Sequence, residues 1–143
     1  MSEMMICVGI TAFFSLEDIR KRTVMVWKLI LLAPIGIYFV LFEDGVIFSQ
    51  SLIGILIGLL FVTMSLVTGG KLGMADAVVI IFLGAMLGYS AQIRVLCYSF
   101  LAAFICSMII LLRHKNRPMT IPFLPCLFLG CLWLLIIYQG GIL

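Results

Sequence analysis

The chain has 143 residues, 65% of them hydrophobic and only 10% charged, with a formal net charge of +3. A soluble globular domain runs near half apolar and about a quarter charged, so this composition excludes a water-soluble fold of this length. With a mean hydropathy of +1.35, it reads as an integral membrane protein whose outward faces are solvated by the lipid bilayer.

The first charge-free apolar run extends from Met4 to Leu16 and is followed by Glu17, Asp18 and the basic cluster Arg20, Lys21, Arg22. It is short: at about 1.5 Å per residue it covers about 20 Å of a roughly 30 Å hydrocarbon core. The helix is therefore expected to continue through Leu16, Glu17 and Asp18, which sets an acid near the membrane edge. Glu3 stands where a basic region would open a signal peptide, and no small-x-small cleavage site follows, so none is expected.

The second run, Val24 to Phe42, ends at Glu43 and Asp44 and carries Pro34 and Gly36, which predict a kink. Lys28, near its start, can snorkel to the interface. The third run, Val46 to about Val67, stops at a Thr68-Gly69-Gly70-Lys71 turn. The fourth extends from Met74 to Leu87, the fifth from Ile93 to Leu112 and the sixth from Met119 to Ile142. Gly54 with Gly58, and Gly84 with Gly88, have the spacing that lets helix backbones approach closely in lipid. The expected fold is an all-α, polytopic bundle of about six transmembrane helices, one domain over residues 1–143.

Loop charges set the expected orientation. Arg20 to Arg22, Lys71, and Arg113, His114, Lys115 and Arg117 fall on one side, which the positive-inside rule assigns to the cytoplasm. Glu43 and Asp44 fall on the other, with both chain ends, and Arg94 is the one dissenting charge. No basic, aromatic-interleaved patch points to nucleic acid. The five cysteines, Cys7, Cys97, Cys106, Cys126 and Cys131, make no C-x-x-C pair, and His114 has no neighbour of ligand type. No metal or cofactor site is expected, and the cysteines read as small membrane-facing residues.

Of six acidic residues, Glu3, Glu43 and Asp44 read as solvated outer charges, which leaves Glu17, Asp18 and Asp76. Asp76 directly precedes the apolar run Val78 to Leu83. Taken alone it fits a helix N-terminus at the interface, where orphan amides and the helix dipole favour an acid. The charge-derived topology, however, brings Asp18, at the end of the first span, to the level of Asp76, at the start of the fourth. Two adjoining carboxyls do not both ionise at neutral pH. One charged and one protonated carboxyl can activate water and protonate a carbonyl oxygen. A metalloprotease H-E-x-x-H and a G-x-S-x-G nucleophile motif are both missing. His114, in a basic loop, is poorly placed to serve a cysteine protease.

Three segments then resemble the type IV prepilin peptidases, a family of G-x-G-D intramembrane aspartic proteases. Asp18-Ile19-Arg20-Lys21-Arg22-Thr23-Val24 is similar to that family's first aspartate segment. Gly73-Met74-Ala75-Asp76 is similar to the G-x-G-D motif, and Ile121-Pro122-Phe123-Leu124-Pro125, followed by Gly130, resembles the segment opening the last helix. The resemblance implies an endopeptidase that removes the basic leader of a prepilin-like substrate on the cytoplasmic side. It makes Asp18 and Asp76 the catalytic pair and gives Gly73 and Ala75 the task of allowing close approach of substrate. The chain departs from the pattern at Ala75, which replaces a glycine, at Val78, which replaces a lysine, and at Val24-Met25-Val26, which replaces I-P-N. The cysteine-bearing methyltransferase insert of larger relatives is missing too, so peptidase activity alone is expected. Two other readings stand beside it: a non-catalytic binder of pilin-like segments, with Ala75 marking lost activity, and a proton- or cation-coupled transport subunit.

Overall fold

The computed structural model describes residues 2–21, 34, 36–38, 48–69, 73–113 and 123–140. Every described element is an α-helix: α1 (Ser2–Lys21), α2 (Phe48–Val67), α3 (Met74–Arg113) and α4 (Leu124–Gln139). The first run does continue past Leu16, as its length required, and α1 reaches Lys21. Most of the second expected span lies outside the described residues, as do Arg22, Lys71, His114, Lys115 and Arg117. Gly36 is described. It is buried, and a Cβ there would meet Phe82 Cδ2 at 3.5 Å and Ala85 Cβ at 3.7 Å.

Burial in α2 runs opposite to that of a soluble protein. Its buried residues are Ser51, Gly54, Gly58 and Ser65, while Leu52, Leu56, Leu60 and Met64 face outward. In water this arrangement would bury hydroxyls and expose leucines, at a loss on both counts. In lipid, leucine gains nothing from facing a neighbouring helix, and small residues are what allow helices to touch. Phe48–Val67 and Met74–Leu112 are both long and apolar enough to cross a membrane.

The fourth and fifth expected spans are the two arms of α3, broken at Gly88 (φ 70°, ψ 170°). That backbone region is open to glycine and strained for any residue with a Cβ. Along a straight helix Ile80 and Gln92 would lie about 18 Å apart. Instead the Gln92 amide, fully buried, donates to the Ile80 carbonyl at 2.9 Å, so the chain folds back on itself at Gly88. The expected role of Gly88 as a packing glycine is thereby corrected: it makes the reversal.

Gly84 does pack. A Cβ on it would lie 2.5 Å from the backbone C and O of Gly54, and one on Gly58 would lie 2.6 Å from Ile81 Cα. The first arm of α3 and α2 therefore meet backbone to backbone. On the opposite side the first arm joins a core of larger side chains, among them Leu83 and Met86 from α3, Leu127 and Leu134 from α4, and Phe14 from α1. Gly130 closes α4 onto the second arm, where a Cβ would meet the Val95 carbonyl at 2.7 Å. Pro125 in the first turn of α4 suits a helix start, where its missing N–H goes unneeded.

Candidate active site

The buried residues of α1 are Cys7, Thr11, Phe14 and Ser15, a single stripe at helical spacing. Thr11, fully buried, donates to the Cys7 carbonyl at 2.7 Å, and its side chain shares a hydrogen bond with Cys131 of α4. At about 100° per residue, Asp18 falls near the centre of this stripe, whereas Glu17 lies about 100° away from it. Packing of α1 on α4 thus sets Asp18 on the inward-facing stripe, and a carboxyl oxygen of the neighbouring Glu17 is buried as well. Asp18 lies beyond the first apolar run and is partly buried, and desolvation raises its carboxyl above the ordinary value.

Asp76 stands in the first turn of α3. The Ala77 amide donates to the Gly73 carbonyl at 3.3 Å, so Gly73 is the residue from which the helix starts. The Asp76 carboxylate lies back over Gly73: a Cβ on Gly73 would stand 2.5 Å from Asp76 Oδ2 and 3.1 Å from its Cγ. The room beside Gly73 is filled by the aspartate itself. Ala75 is partly buried and packs against the hydrophobic core.

Asp18 and Asp76 come from helices more than fifty residues apart in sequence, yet their carboxyls are near enough to interact electrostatically. Cys126, in the first turn of α4, also feels the Asp76 charge and is in hydrogen-bond contact with Cys106 of the second arm. Three helix ends therefore converge on one point. Among the described residues no three His, Cys, Asp or Glu side chains gather as a metal-binding group.

Comparison with known families decides what this convergence belongs to. The model of the type IV leader peptidase family matches residues 5–112, more than two thirds of the chain. The chain belongs to that family. The leader peptidase match takes in both aspartates and Gly73, while α4 and the Ile121–Gly130 segment lie outside it. The family is one of proteases acting on prepilin-like proteins, and with two long apolar helices this leader peptidase is a membrane protein. Comparisons with curated proteins and with solved structures gave no match.

Sequence reasoning missed the cysteines near this site. It took all five as outward-facing fillers, whereas Cys7, Cys126 and Cys131 are buried and Cys97 is exposed. A thiol is small enough to sit where two helices press together, and composition does not reveal which side of a helix it takes. The signal that existed was Cys126's place within the segment opening α4.

Proposed function

We propose that this leader peptidase is an intramembrane aspartic endopeptidase that uses Asp18 and Asp76 to cleave the basic leader from a prepilin-like substrate at the cytoplasmic face. What supports the reading is that Asp18 and Asp76, two acids from distant helices, lie within electrostatic range of each other and both fall within the matched region. Sharing one proton, the pair provides a base and an acid together. The ionised carboxylate takes a proton from water as the water oxygen adds to the scissile carbonyl carbon. The protonated partner donates to the carbonyl oxygen. Collapse of the tetrahedral intermediate, with a proton delivered to the amide nitrogen, breaks the C–N bond. This chemistry calls for no cofactor.

The reading carries with it a single domain of about six crossings, with both chain ends outside. The fold-back at Gly88 supports that count, because it lets Met74–Leu112 cross twice. Gly73 and Ala75 keep the surroundings of Asp76 small. Ala75 packs against the hydrophobic core, which supports an enzyme over a non-catalytic binder.

Cleavage of a prepilin-like substrate, assayed in membranes, tests the proposal. Asp18→Ala and Asp76→Ala should each abolish it, and Glu17→Ala should leave it largely intact. An active Asp18→Ala alongside a dead Glu17→Ala would overturn the assignment of the pair.

A further inference from the structure

Two buried polar atoms of the α2–α3 seam have no hydrogen-bond partner among the described residues: Gln92 Oε1 and Ser51 Oγ. Both residues are at most 1% exposed. The other end of the Gln92 amide is fixed, because Nε2 donates to the Ile80 carbonyl at 2.9 Å. Turned round, Oε1 would face that carbonyl oxygen, acceptor against acceptor, so the oxygen has to point elsewhere. The place a Gly84 Cβ would take lies 2.8 Å from Gln92 Nε2 and 2.5 Å from the backbone C and O of Gly54. The Gln92 amide therefore reaches the line where α2 meets the first arm. Ser51 reaches the same line from α2. The antiparallel register that sets Gly58 against Ile81 and Gly54 against Gly84 brings Ser51, one turn further on, to the level of Leu87 and Gly88. Both side chains thus come from residues within about one helical turn of the reversal.

We infer that Gln92 Oε1 and Ser51 Oγ hold a buried water at the Gly88 reversal, which ties the second arm of α3 to α2. The chemistry of the two atoms selects the occupant. Oε1 only accepts, so whatever meets it must donate, whereas a hydroxyl both donates and accepts. Water can donate to Oε1 and to one further acceptor while it accepts from Ser51. The further acceptor is at hand: the first arm ends at Gly88 and sends its last carbonyls toward the reversal, past the amides of its own ladder. A buried amide oxygen without a donor is costly, and within a bilayer no bulk solvent relieves it. Buried waters make about three hydrogen bonds to groups of this kind. The occupant is small, because the Gly54 and Gly84 backbones already touch beside it. A lipid chain would satisfy neither atom.

The inference rests on the fold and not on the proposed cleavage, so its tests need no substrate. A crystal structure of the full-length protein grown from lipid, at a resolution that shows ordered solvent, should place a water about 2.5–3.0 Å from both Gln92 Oε1 and Ser51 Oγ. A Ser51 hydroxyl bonded directly to Gln92 Oε1 would overturn the water site. So would a Ser51 hydroxyl turned back onto its own helix with no water at Oε1. Thermal unfolding in detergent gives a second readout. Ser51→Ala and Gln92→Leu should each lower the melting temperature by a few degrees. Gln92→Leu should lower it more, because that change also removes the bond to Ile80. Once Gln92 is leucine, Ser51→Ala should cost little more, as expected of two residues that share one partner. Fully additive losses would overturn the shared water. If Gln92→Leu does not fold, Gln92→Asn, which withdraws the amide by one methylene, takes its place in the cycle.

Discussion

The two sides of the first α3 arm are built on different physics. Toward α2 it presents glycine to glycine, with the Gly54 and Gly84 backbones in direct contact and no ionisable group between them. Toward α1 and α4 it presents Leu83 and Met86, and this side ends in Asp76, within reach of Asp18 and Cys126. The glycine seam sets backbone against backbone, so it suits a brace. The other side works through side chains, whose contacts can change when a proton is added.

The sharpest way to break this division is to injure each side in turn. Asp76→Asn should lower cleavage by about 10²–10⁴-fold, the range for a lost general acid or base. Its thermal unfolding in detergent should match wild type, because the seam is untouched. A variant that unfolds would show that Asp76 holds the helix start rather than the chemistry. On the other side, Gly84→Ala forces a methyl group into the Gly54 backbone. We expect a loss of about 1–3 kcal/mol, as for overpacking of a close-packed interior, read as a lower melting temperature with catalysis intact in the protein that remains folded. An unchanged melting temperature would mean the seam yields easily.

Smaller changes sharpen the boundary at Asp76 itself. Gly73→Ala places a Cβ against Asp76 Oδ2 and must displace the carboxylate. Cleavage should fall well below wild type but above Asp76→Asn, with melting little changed. The pH profile of cleavage should be bell-shaped. At low pH both carboxyls are protonated and no base remains; at high pH both are ionised and no acid remains. Because burial raises Asp18, the acid limb should lie above the ordinary carboxylate range, and a limb at or below that range would argue against a desolvated pair. Ala75→Gly should have the smallest effect. The position is helical and packs against the core, so the change should cost about 0.5–1 kcal/mol of stability. Cleavage should persist at close to the wild-type rate. Cleavage appearing only after this change would favour the non-catalytic binder.

Composition by itself determined that the chain belongs in a bilayer, because no soluble fold of this length can hide so much apolar surface. Local patterns carried nearly as much: the reach of α1 past Leu16, the turn at Gly69, and the packing role of Gly54, Gly58 and Gly84. These are legible because hydropathy, helix rise and glycine spacing act between residues near in sequence. What only the tertiary structure decided lies between helices. The sequence spacing of Gly84 and Gly88 looked like one packing motif, yet Gly88 reverses the chain, a choice set by whether the second arm finds a partner on folding back. That Asp18 meets Asp76 depends on the rotation α1 takes when Thr11 packs on Cys131. That Gly73 makes room for its own aspartate depends on which way one side chain turns. Side-chain facing is set by the sum of interhelical contacts, which no local pattern contains.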